Sequence, residues 1–252
     1  MRLIKFLFIC LAAYLMVSCD NITEEIHLNE DGSGQYAVYS DIIPGMKKSM
    51  ELFAAFDTTS TNKSPEEKLK KIEDELWADF GEEVDTSFSD ENAIASITDP
   101  KEKAMMEKMK IFMKGKRKDG FLNSGMRFDF ASLDELNHLV NVLGDSQKED
   151  AELGMDFGES KAEYKVGKKL FSRKTTIFRK PELNAEANAG LAMLMGDGGT
   201  YTTIIHLPKN VKSVVGESMI EKDTRKVVFQ YDLMDIIKGK TNTDFEIKLK
   251  RK

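Results

Sequence analysis

The chain has 252 residues, two of them cysteine, with 37 Lys+Arg against 43 Asp+Glu and a net charge of −6. Charged residues at 32% and apolar residues at 41% describe a soluble globular body and exclude a polytopic membrane protein. The acidic balance excludes a general nucleic-acid binder, which needs a basic face to displace counterions. Two cysteines exclude a disulfide-dense scaffold and a four-cysteine zinc site.

The first segment has the pattern of an export signal. Arg2 and Lys5 precede an unbroken apolar run, Phe6–Val17. Its twelve residues fall short of the roughly 20 that a spanning helix needs. The run closes on Leu15-Met16-Val17-Ser18-Cys19. A small residue directly before a cysteine at this place resembles the lipobox of bacterial lipoproteins, with Met16 standing where leucine is usual. The resemblance implies cleavage between Ser18 and Cys19, a diacylglycerol on the Cys19 sulfur and an acyl chain, palmitate or similar, on its new amine. Each buried methylene contributes about 0.8 kcal/mol, so two or three chains hold a protein where one does not. Cys10 leaves with the signal, as do Arg2 and Lys5, and the remaining body is more acidic still. The expected organisation is a signal over 1–18, a lipidated tether over 19–25 and one domain over 26–252. Two lobes meeting near 144–160 are the other arrangement.

After the polar stretch Asp20–Glu25, the alternations Ile26/Leu28 and Tyr36/Val38 flank Asp31-Gly32 and predict a hairpin. Pro44 opens a predicted helix with Met46, Met50, Phe53 and Ala54 on one face. Ser64-Pro65-Glu66-Glu67 predicts a capped helix with Leu69, Ile72, Leu76 and Phe80 on one face. Asp99-Pro100 predicts another, carrying Met105, Met109, Phe112 and Met113, and Ser132 a third with Leu136, Leu139, Val140 and Leu143. Strands are predicted over 84–89, 93–98 and through Met126, Phe128 and Phe130. The acidic stretch Gly144–Ser160 is expected to be an exposed connection. Beyond it the pattern turns to β. A hairpin is expected about Gly167-Lys168, then strands over 201–207, 211–215, 227–231 and 245–249, with helical turns over 232–238 stopped by Gly239. The expected fold class is α+β: an antiparallel sheet built from hairpins, with three to five helices mostly in the first half.

Two segments carry a second resemblance. The Asp31-Gly32-Ser33-Gly34 hairpin just after the anchor, and Tyr201–Val211 followed by the strand Val227–Tyr231, are similar to the LppM-like group of bacterial envelope lipoproteins. Phe229 stands on the ground where that group often has a tryptophan. The resemblance implies an envelope lipoprotein without known catalysis, in contact with lipid, and transfers no site residues.

No catalytic motif is present. His27, His138 and His206 are far apart in sequence, with no Gly-x-Ser-x-Gly or His-Glu-x-x-His around them. They are expected to be structural or surface residues, with no metal and no cofactor, although a site can still assemble in space. An EF-hand centred on Gly32 fails, because its first and twelfth positions are His27 and Val38. The basic clusters Lys114–Lys118 and Lys248–Lys252 are expected to be a solvated turn and a frayed tail. Anionic head groups are the other partner for them. Met105, Met106, Met109 and Met113 are expected in the core. Met193, Leu194 and Met195 form the candidate surface for an apolar ligand or partner, as flexible thioethers line adaptable surfaces. The sequence therefore points to a membrane-anchored, non-enzymatic envelope protein that acts by binding or assembly. Its membrane partner is reached through Cys19, and no nucleic acid is involved. A carrier or sensor of an apolar ligand such as a lipid, and an enzyme using scattered carboxylates and His206, are the other readings.

Overall fold

The computed structural model describes residues 21–48, 64–89, 91–95, 97–98, 100–146, 159–179 and 199–250. Ser18, Cys19, Met193, Leu194 and Met195 lie outside these residues, as do Met50, Phe53, Ala54 and most of the acidic stretch. In chain order the strands are β1 (Asn21–Leu28), β2 (Gly34–Asp41), β3 (Glu83–Phe88), β4 (Met109–Lys116), β5 (Phe121–Phe130), β6 (Glu159–Gly167), β7 (Leu170–Arg179), β8 (Thr200–His206), β9 (Val211–Gly216), β10 (Met219–Lys222), β11 (Lys226–Asp232) and β12 (Phe245–Leu249). The helices are α1 (42–48), α2 (Pro65–Phe80), α3 (Glu91–Ala95), α4 (Pro100–Lys108), α5 (Leu133–Ser146) and α6 (Leu233–Ile237). None of those described is long and apolar enough to cross a membrane.

Two sheets result. Eight strands form the larger, in the order β10-β11-β8-β1-β2-β5-β4-β3, and four form the smaller, in the order β6-β7-β12-β9. The architecture is α+β and largely antiparallel; among the described strands the exception is β1 with β8, which run parallel. Strand alternation sorts the larger sheet into two faces. Glu24, Ile26 and Leu28 of β1 turn inward and are buried, while Glu25 and His27 turn outward. The inner face meets the smaller sheet in one core that includes Ile26, Phe128, Ile205 and Phe229 from the larger and Tyr164, Phe171, Phe245 and Ile247 from the smaller. Residues on both sides of 144–160 fill that core. Phe229 and Phe245 stack across the joint with ring centroids 5.1 Å apart.

Helices pack against the sheets at two places. A capping box starts α2: Ser64 Oγ accepts from the Glu67 backbone N–H at 3.2 Å, and the Glu67 carboxylate accepts from the Ser64 N–H at 3.3 Å. Trp77 then packs with Ile42, Val84 and Leu122 in a second cluster. It can do so because β4 has glycine at 115, where a Cβ would stand 3.0 Å from the indole and 2.7 Å from Leu122. The helix α5 buries Leu136 and Leu139 and covers the free edge of β6. Its Asn137 side chain accepts from the Tyr164 N–H at 2.6 Å and donates to the Tyr164 carbonyl at 2.9 Å, as a neighbouring strand would.

Where one antiparallel sheet with three to five helices was expected, the described residues form two sheets and six helices, still mostly in the first half. The structure differs from the sequence expectation in four further places. The tether expected over Asp20–Glu25 is strand from Asn21 onward. The helix expected through Met113 ends at Lys108, and Met109 opens β4. Met109, Ile111 and Met113 turn inward by strand alternation, and the 105/109/113 spacing that suggested a helix is also compatible with period two. Met105 and Met109 are nonetheless core residues. Residues 91–95 are the short helix α3 where a strand was expected over 93–98. Finally, β10 is a strand that sequence patterning does not show; all four of its residues are exposed, so they carry no alternation. The basic turn after β4 is not a bare cationic patch. Lys114 faces Asp85, Lys116 faces Glu83, and Arg117 faces Asp74 and Glu82. In the second basic cluster, Lys248 and Leu249 belong to β12, and Leu249 is buried.

Candidate functional site

Glu24 and Glu25 are consecutive on β1 and therefore point to opposite faces of the larger sheet. Each organises a polar cluster.

Inside, Glu24 is 1% exposed and stands between the sheets. One carboxylate oxygen accepts from the Tyr164 hydroxyl at 2.6 Å. The other accepts from the Arg173 guanidinium at 2.9 Å and the Thr203 hydroxyl at 3.0 Å. Arg173 also lies over the Tyr164 ring, 5.6 Å from its centroid. Burial alone raises the Glu24 pKa. The Arg173 charge and the hydroxyls of Tyr164, Tyr201 and Thr203 outweigh it and hold the carboxyl below its ordinary value. The surrounding tyrosines move the other way: burial pushes Tyr36 and Tyr164 well up and Tyr231 to about 12. Among the described residues, Arg173 Nε and the Tyr231 hydroxyl are buried without a hydrogen-bond partner. The cluster ties β1 and β8 of the larger sheet to β6 and β7 of the smaller, and Glu24, Tyr164 and Thr203 within it are closed off from solvent.

Outside, Glu25 gathers both histidines of the strands. Its Oε1 accepts from His27 Nε2 at 3.0 Å and from His206 Nε2 at 2.8 Å. Its Oε2 accepts from the Tyr39 hydroxyl at 3.0 Å. The two imidazoles are parallel within 4°, with centroids 4.0 Å apart. The parallel register of β1 and β8 sets His27 directly beside His206, and the two-residue period of β1 sets Glu25 beside His27. Burial raises the Glu25 pKa, but the Tyr39, His206 and His27 contacts bring it below its ordinary value. Burial and the neighbouring His27 push His206 below its ordinary value, which favours the neutral imidazole. Burial and the Glu25 charge push the Tyr39 hydroxyl up. Lys226 of β11 pairs with His206 in register and is held by Glu221 at 3.2 Å. One carboxylate and two imidazoles on an open sheet face are groups of the kind that ligate metals or accept protons.

Of the three histidines, which are far apart in sequence, the fold brings two together at Glu25. His138 stands alone of the three, exposed on α5. The only local clue to this cluster is Glu25-x-His27, two residues apart on a strand; His206 enters through strand pairing that sequence patterning does not encode.

No family model matches the chain, and no curated protein matches it. Among solved structures it is similar to the NMR structure of the folded domain of LppM from Mycobacterium tuberculosis. That similarity spans 91% of this chain and 88% of that one, with 10% sequence identity and a TM-score of 0.34.

Proposed function

We propose that the protein is a lipid-anchored component of the bacterial cell envelope, fixed to a membrane through acylated Cys19 and acting there by binding or assembly rather than catalysis. The observation that carries the reading is the lipobox-like Leu15–Cys19 segment, with strand beginning two residues later at Asn21. At about 3.3 Å per extended residue, the larger sheet starts within ~7 Å of the anchor. Glu25 then stands at most about 20 Å along the chain from Cys19. A binding role is supported by the corner formed by β9 and β10. Val215 and Ile220 are 64% and 59% exposed there, beside half-exposed Met219, on short strands at the edges of the two sheets. Exposed apolar residues grouped at a sheet edge are features of interaction surfaces.

The anchor is tested with Cys19→Ala. The unaltered chain is expected in the detergent-rich phase after detergent phase separation of whole-cell membranes, and the variant in the aqueous phase. Unchanged partition of the variant contradicts the reading.

A further inference from the structure

We infer that Glu25, His27 and His206 form a binding site for a late first-row divalent metal ion, with zinc the best suited. The site goes beyond the anchored role and does not depend on it. One carboxylate oxygen and two imidazole nitrogens all lie within 4.8 Å of one another. They stand on β1 and β8, two neighbouring interior strands of the eight-stranded sheet, so the ligand backbones are fixed by hydrogen bonding on both sides.

Zinc bonds of about 2.0–2.2 Å in tetrahedral array set ligand atoms about 3.3 Å apart. The two Nε2-to-Oε1 separations, 3.0 and 2.8 Å, need to open by only a few tenths of an ångström. Parallel rings direct their in-plane lone pairs side by side, so the imidazoles must splay to meet one ion. They have room, since the side chains of His27 and His206 are 50% and 34% exposed. On binding, each neutral imidazole exchanges its proton from Nε2 to Nδ1 through solvent, so that the Nε2 lone pair goes to the metal with no net proton released. Tyr39 stays on the second Glu25 oxygen and orients the carboxylate, the outer hydrogen bond that ligating groups characteristically have. Two imidazoles and a carboxylate favour zinc, copper(II) or nickel over magnesium or calcium, which take all-oxygen sites. Lys226 is the nearest opposing cation in register, and Glu221 holds its ammonium. Three protein ligands leave a fourth position open for water or for a side chain of a binding partner.

Equilibrium dialysis of the full chain in detergent against zinc chloride, with magnesium in excess, tests the site. One zinc per chain is expected. His206→Ala and His27→Gln should each weaken binding at least tenfold. Tyr39→Phe should weaken it about tenfold without changing the stoichiometry. His138→Ala should leave it unchanged. Circular dichroism checks that each variant is folded; exposed His27→Gln keeps the test decisive if His206→Ala does not fold. Absence of stoichiometric zinc from the full chain, or unchanged affinity in His27→Gln, overturns the inference. The Cys19→Ala chain is expected to bind zinc equally, which separates this result from that of the anchor.

Discussion

Arg173→Met is expected to destabilise the fold by about 3–5 kcal/mol at neutral pH. The substitution keeps most of the side-chain volume and removes the charge that faces Glu24 between the sheets. Glu24 is then a buried carboxylate with only hydroxyl partners, and the cost of leaving water is no longer offset. The double variant Glu24→Leu with Arg173→Met should recover much of the loss, since it removes both charges. The pH dependence has a definite sign. In the unaltered chain the Glu24 pKa is lowered, so its stabilising contribution is present above the ordinary carboxylate value and falls away as pH drops through the lower native one. In Arg173→Met burial acts without the opposing cation and the native pKa rises above the ordinary value. That penalty is greatest at neutral pH and is relieved as pH falls. The stability gap between the two chains therefore narrows between about pH 7 and pH 4. Urea unfolding at both pH values measures it. A gap below about 1 kcal/mol, or one that does not change with pH, means that Arg173 does not hold Glu24 as an ion pair.

Phe229→Ala should cost about 3–5 kcal/mol, the range for truncating a fully buried aromatic side chain. Phe229 is 0% exposed and stacks on Phe245 of the smaller sheet while its own strand belongs to the larger. Truncation leaves a cavity at the joint rather than within either sheet. Phe229→Leu, closer in volume, should cost less than about 1.5 kcal/mol. Two probes make the experiment informative about organisation. Far-UV circular dichroism follows both sheets, and the fluorescence of the single tryptophan, Trp77, follows the second cluster at the far end of the larger sheet. If the chain unfolds as one body, both signals shift together in Phe229→Ala. A Trp77 transition that stays in place while the dichroism transition moves divides the chain into two units.

Much of the fold is legible locally because its signals are local. Gly32 at a φ of 89° turns the first hairpin, Ser64 and Glu67 cap α2 reciprocally, and Gly239 at a φ of 62° ends the α6 segment. Each effect is confined to a few residues, and each is present in the sequence as a residue type at a fixed offset. Strand 109–116 is less legible, because its methionines satisfy a helical and a strand period at once, and only pairing with β3 and β5 selects between them. The two glutamates are hardest to read. Glu24-Glu25 resembles a solvated tether until β8 pairs with β1. That pairing brings Glu25 to His206, 181 residues away, and seals Glu24 under Tyr164 and Arg173. Neither periodicity nor turn chemistry carries information over such a separation, so the candidate site appears only in the folded chain.

Intact-mass spectrometry of the chain extracted from membranes of expressing cells tests the anchored reading most directly. The predicted species begins at Cys19 and carries a thioether-linked diacylglycerol together with an N-terminal acyl chain. A species that begins elsewhere, or one that retains a free Cys19 thiol, contradicts it.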